Sequence, residues 1–149
     1  MKILLAMDDS KFSEAALRMM LSRYRHEETE VRVLHVVEPI ALAMPPLMAE
    51  GYAPELDEVR KEQLKLAREL VAKAAEKLHA AGFQADTAIY EGNARTGIID
   101  LAAEWHADLI VVGSHGRKGL DRFLLGTVSE YVARHALCSV EIVRLPPNR

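Results

Sequence analysis

The sequence predicts an α/β fold, a doubly wound parallel sheet of five strands flanked by helices. Three observations predict it. Short strand-like runs alternate with segments of helical period along all 149 residues, the sequence form of repeated strand–helix–strand units. One run, Leu109-Ile110-Val111-Val112, is apolar without alternation, as expected of a strand covered on both faces. The two loops richest in chemistry, Asp8-Asp9-Ser10 and Gly113 to Ser129, follow the first and fourth strands. In a doubly wound sheet the binding crevice opens at the carboxyl ends of those strands.

Each element has its own signal. Ile3 to Met7 is the first strand, and Asp8-Asp9-Ser10 breaks it and offers helix caps. Ala15, Ala16, Leu17, Met20 and Leu21 then repeat at helical spacing. Val31 to Val37 is the second strand. Glu38 to Pro54, with four prolines and Gly51, reads as a long loop, and loops of that length are often lids or binding loops. Its Met44 and Met48, with Leu42, Leu47 and Tyr52, suit a lid, an interaction surface or a loop anchor. Leu56, Val59, Leu66, Leu70, Ala74 and Leu78 mark a long amphipathic helix that Gly82 ends. Ala85 to Tyr90 is a third, less apolar strand and so an edge. Gly92-Asn93 turns into a helix carrying Ile98, Ile99, Leu101, Ala102 and Trp105. After the fourth strand and its glycine loop, Thr127 opens a helix with Val128, Val132 and Ala136 on one side. Val140 to Val143 is the last strand.

Composition narrows the function classes. Half the residues are hydrophobic, 28% are charged, and the net charge is -3. This length is expected to form one domain, residues 1 to 149. No Lys/Arg stripe appears, so nucleic acid is not an expected partner. No run approaches the ~20 apolar residues of a membrane span, so no membrane is expected either. Met1-Lys2 leads directly into a strand with no signal-like run, and Cys138 is the single cysteine. Both features suit a cytoplasmic location. His26, His35, His79, His106 and His135 form no i, i+4 pair or Cys/His cluster, so a metal site built from protein ligands is not expected.

The chemistry concentrates in Gly113-Ser114-His115-Gly116, followed by nine residues and Gly126-Thr127-Val128-Ser129. This stretch runs from a strand's carboxyl end to a helix's amino end, where free backbone N–H groups and the helix dipole favour an anion. Glycines allow close approach of a ligand and positive φ, so a structural αL turn is the alternative, and Thr127 and Ser129 place hydroxyls beside the amides. The stretch reads as a phosphate cradle. It is neither a G-x-x-x-x-G-K-[ST] loop nor a G-x-G-x-x-G fingerprint. Gly119 reads as a turn glycine. Arg117 and Lys118 are candidates to neutralise phosphate charge or to be solvated, and His115 is a candidate for phosphate or ribose. Asp8 suits a ribose hydroxyl, a divalent ion near phosphates, or a helix cap.

The full pattern, G-x-x-G, nine residues, then G-[ST], resembles the nucleotide-binding signature of the universal stress protein family. Ile3 to Ser10 is similar to that family's first strand and turn, Val33 to Val37 to its second strand, and Ala107 to Arg117 to its fourth strand and loop. The family often has Gly where this chain has Asp9, and Pro where it has Ser139. The resemblance implies an adenine nucleotide alpha hydrolase-like fold of strand order 3-2-1-4-5. It implies bound ATP or another adenine nucleotide, with Mg2+, in contact with Ala6, Met7, Asp8, Val36, Val112, Gly113, His115, Gly116, Arg117, Gly126, Thr127, Val128 and Ser129. Adenine would lie near Asp8 and Val36, ribose near Gly113, and phosphates on Gly116, Gly126, Thr127 and Ser129. The resemblance also implies a homodimer through the last strand, Val140 to Arg144, with Glu141 and Arg144 able to pair reciprocally. The implied role is a nucleotide-dependent regulator in stress signalling or a chaperone-like partner. A slow ATPase and a nucleotide-free dimeric scaffold are the alternatives; the pattern supplies no convincing general base, Asp8 and Asp9 being the only carboxylates expected nearby.

Overall fold

The computed structural model describes residues 1–116 and 124–146. Five strands form one sheet of order β3-β2-β1-β4-β5 in which every pairing is parallel. They are β1 (Lys2–Ala6), β2 (Glu30–Val37), β3 (Gln84–Glu91), β4 (Leu109–Gly113) and β5 (Ser139–Val143). The helices are α1 (Lys11–Arg23), α2 (Pro46–Gly51), α3 (Ala53–Ala80), α4 (Ala94–Trp105) and α5 (Thr127–His135). The strand order reverses at β1 and β4, so the crevice lies at their carboxyl ends.

The sheet divides the core in two. Ile3 and Leu5 of β1, with Val31, Val33 and Val111, pack under Leu17 of α1 and Val71 and Leu78 of α3. Leu4 and Ala6, with Leu34, Ile110 and Val112, pack under Ile98 and Trp105 of α4 and Val132 of α5. Alternate residues of one strand therefore feed opposite layers, which is why β1 and β4 read as unbroken apolar runs. Each fully buried Leu or Ile here contributes about 1.5–3 kcal/mol. β3 and β5 are the edges.

The segment expected as a loop, Glu38 to Pro54, is largely helical. A 3-10 turn spans Ile40–Ala43, α2 begins at Pro46, and Pro54 sits in the first turn of α3. The prolines start these helices: a first-turn proline forfeits only an N–H that has no intrahelical partner. The stripe of α3 also differs from expectation. Ala67, Val71, Ala74, Ala75 and Leu78 are buried, whereas Val59 and Leu66 are exposed. A helix of 28 residues is about 42 Å long, but an eight-residue strand spans about 26 Å. The amino-terminal half of α3 therefore overhangs the sheet. Strand ends shift by a residue or so from the expected bounds, and α5 stops at His135, with Ala136 as its cap.

Candidate functional site

The turn after β1 is locked by short side chains. Ser10 caps α1, its Oγ accepting the Ser13 N–H at 3.2 Å. Asp8 Oδ1 accepts from the Ser10 N–H and from Ser13 Oγ, both at 2.9 Å, and Ser13 Oγ accepts the Asp8 N–H at 2.9 Å. Because Ser10 caps the helix, Asp8 serves its turn through one oxygen only. Its other oxygen, Oδ2, faces Gly116, where an added Cβ would sit 3.0 Å from it. Among the described residues nothing else would lie within 4 Å of that Cβ. The β1 turn and the glycine loop thus face each other across a gap that glycine keeps open.

The loop's two ends are tied together by Ser114. Its N–H donates to the Val143 carbonyl at 2.8 Å. Its carbonyl accepts from the Gly126 N–H at 2.8 Å and from Ser129 Oγ at 2.9 Å. Gly126 lies close enough that a Cβ would come within 3.1 Å of Ser114 O and His115 Cα. Gly126 is also the N-cap of α5, and among the described residues no side chain caps that helix. The amides of Thr127, Val128 and Ser129 occupy the first turn, where helix geometry provides no intrahelical acceptor. The positive end of the α5 dipole therefore opens beside the loop.

The expected site residues fall into distinct places. Ala6, Val36 and Val112 share the sheet face that α4 and α5 cover. The Met7 side chain lies on the opposite face with α1 and α3, and only its backbone joins the crevice, its N–H donating to Leu34 O at 2.8 Å. Gly113 is half-buried, and a Cβ there would lie 2.8 Å from the Phe12 backbone. Gly116 and Thr127 are exposed, Val128 is half-buried, and Ser129 is buried with its hydroxyl proton directed at carbonyl oxygens. The His115 ring stands 5.0 Å from Phe12, with Nδ1 3.0 Å from Ser114 Oγ. Its Nε2 is shielded from solvent and has no partner among the described residues. Arg117, Lys118 and Gly119 lie outside the described residues.

Sequence reasoning missed three contributors. Ser13 holds Asp8, Ser114 clamps the loop, and His35 Nδ1 donates to the Met7 carbonyl at 2.6 Å. A Ser three residues after the Ser10 cap was the one legible hint. At the far edge, Glu141 accepts from Arg23 and from Tyr24 Oη within the same chain. Its carboxylate is thus already engaged, which the expected reciprocal pairing with Arg144 did not include. Among the described residues no group of three His, Cys, Asp or Glu side chains could hold a metal ion. No described helix is long and apolar enough to cross a membrane.

A five-stranded, all-parallel, doubly wound sheet of this order flanked by helices defines an adenine nucleotide alpha hydrolase-like fold. The chain belongs to the universal stress protein family, whose profile it matches over residues 1–144. It is 35% identical over 145 residues to universal stress protein YxiE of Bacillus subtilis, covering 96% of this chain and 98% of that one. The structure of UspA from Lactobacillus plantarum superposes with a TM-score of 0.83 at 25% identity, over 96% of this chain and 97% of that one. An Arabidopsis thaliana family member with AMP bound shares the fold, with a TM-score of 0.71 at 20% identity over 97% of this chain and 92% of that one.

Proposed function

We propose that the protein binds an adenine nucleotide, ATP with magnesium, in the crevice between the β1 turn and the glycine loop. The observation that carries this reading is the gap at Gly116, bounded by Asp8 Oδ2 and set beside the start of α5, whose N-cap is Gly126. Phosphate oxygens would accept from the Gly116 region and the first amides of α5, where the helix dipole favours negative charge. Ala6, Val36 and Val112, on one face of the sheet, would support the base. Asp8 Oδ2 would accept from a ribose hydroxyl or stand as an outer ligand of the magnesium. That ion would offset charge between the phosphates and take its remaining ligands from them and from water. The unpartnered Nε2 of His115 supports an additional polar group in this crevice, since a buried orphan costs about 1–3 kcal/mol. The Arabidopsis relative with AMP supports an adenine nucleotide as the ligand class.

The role that follows is a cytoplasmic regulator in the stress response whose state depends on the bound nucleotide. It would act as a homodimer in which the outer edge of β5 pairs antiparallel with its twin, covering an otherwise open edge. Titrating stripped protein with a fluorescent ATP analogue and magnesium tests the site. Saturable binding that weakens at least about tenfold, ~1.4 kcal/mol, in Gly116→Val is the expected result. Equal affinity in the variant would show that the gap is not the phosphate site.

A further inference from the structure

The segment between β2 and the middle of α3 carries an unusual surface. Leu42 and Leu47 are 77% and 82% exposed, and Met48, Tyr52 and Leu66 are each more than half exposed. Beside them a cleft of about 280 Å³ opens between Pro39-Ile40-Ala41 and α3, with Leu56, Val59 and Gln63 on its helical wall. Helix α3 thus has two stripes. Ala67, Val71, Ala74 and Leu78 face the sheet. Leu56, Val59, Gln63, Leu66 and Leu70 follow one another at spacings of three and four on the side left open. That is the spacing by which one helix seats another.

Charge states what would sit there. From residue 33 to residue 59 the chain has no Lys or Arg and five carboxylates, Glu38, Glu50, Glu55, Asp57 and Glu58. The two cations that follow directly are paired with carboxylates. Arg60 is bidentate to Glu91 at 2.7 and 2.8 Å, and Lys61 lies 3.1 Å from Asp57. The apolar surface is therefore rimmed by excess negative charge. A second copy meeting this face across a two-fold would set the same carboxylates against themselves. An anionic lipid surface attracts Lys and Arg, not carboxylates. Nucleotide phosphates would be repelled.

We propose that this acid-rimmed apolar face docks a basic amphipathic helix of a partner protein. The helix would lay its apolar side along Leu56, Val59 and Leu66 and into the cleft, with its Lys and Arg over the carboxylate rim. Met44 and Met48 provide a surface able to repack around different side chains. The face leaves the sheet directly after Val37, at the carboxyl end of β2.

The probe is a synthetic Leu/Lys peptide of amphipathic helical pattern, ~18 residues or five turns, fluorescently labelled and titrated with the full chain. The same pattern built from Leu and Glu is the comparison. Micromolar binding is expected, weakening with added salt, with little binding of the acidic peptide. Leu42→Ser with Leu47→Ser, and separately Glu50→Lys with Glu58→Lys, should each weaken it by about tenfold or more. Glu76→Lys with Glu104→Lys, charge-matched on other surfaces, should leave it within about twofold. All four substituted positions on the docking face are exposed, so thermal melts should show every variant folded. Equal binding of the acidic peptide, equal loss in the charge-matched variant, or no binding would overturn the proposal. So would a dimer that Leu42→Ser with Leu47→Ser dissociates, or capture by phosphatidylglycerol vesicles instead of the peptide.

Discussion

Asp8 and Gly116, from turns that follow different strands, approach so closely that a Cβ on residue 116 would lie 3.0 Å from Asp8 Oδ2. One carboxylate oxygen belongs to the turn and the other to the crevice, because Ser10 N–H and Ser13 Oγ both bind Oδ1. This division separates the structural use of Asp8 from its use toward a ligand, and the two can be measured apart.

Asp8→Asn keeps a carbonyl oxygen for the turn and removes the charge from the crevice. Its stability in urea should change by less than ~1 kcal/mol, while ATP affinity in magnesium falls about tenfold. Asp8→Ala strands the Ser10 N–H and the Ser13 hydroxyl and should cost about 1–3 kcal/mol in the same unfolding measurement. Equal stability losses in both variants would contradict the division.

Gly113→Ala tests the approach of β4 to the first turn of α1. A methyl there would lie 2.8 Å from Phe12 backbone carbon and 2.9 Å from its oxygen. Backbone in a helix cannot swing aside as a side chain does, so an overpacking loss of about 1–3 kcal/mol is expected. A drop in the urea midpoint with unchanged slope is the reading. An unchanged midpoint would mean that the strand and helix are less firmly apposed.

Ser129→Ala removes one of the two donors on the Ser114 carbonyl and leaves the Gly126 N–H in place. The expected cost is about 1 kcal/mol. Because the hydroxyl ties α5 to the loop, hydrogen exchange should rise at Gly126 and Ser114 and not in β3. Uniform acceleration across the sheet would count against a local clamp.

Tyr24 carries the pH prediction. Burial first, then the hydrogen bond to Glu141 and that carboxylate's charge, push its phenol up to about 12. The hydrogen bond is 2.5 Å long. A folded value above the unfolded one, about 10, means the neutral phenol is favoured in the native state. Its contribution is fully present below pH ~10 and lost as pH rises through about 12. Phenolate absorbance should show a late step that is lost in Tyr24→Phe. Glu141→Gln should move that midpoint back toward ~10.

Much of this fold was legible because burial writes itself into composition. Leu109 to Val112 and Ile3 to Leu5 are apolar on both faces for the reason that the sheet is covered on both. The glycine loop was legible as well, since Gly116 and Gly126 stand where an added Cβ would crowd Asp8 and Ser114, although neither adopts the positive φ that glycine allows. The Pro-rich segment misled because a proline at a helix's first turn looks, in sequence, like a proline in a loop. Val59 and Leu66 misled because helical period reveals a stripe but not whether the sheet extends beneath it. The hold of Ser13 on Asp8, the Ser114 clamp and the contact of Gly113 with Phe12 were out of reach. Each depends on distances between segments that only folding brings together.

The most direct test of nucleotide binding uses freshly purified protein beside Gly116→Val with Thr127→Val. Both would be denatured and any released small molecule identified by mass. An adenine nucleotide from the wild type alone is the result expected here. No nucleotide from either protein, together with no ATP binding by the stripped wild type, would contradict it and leave the glycines as elements of a turn.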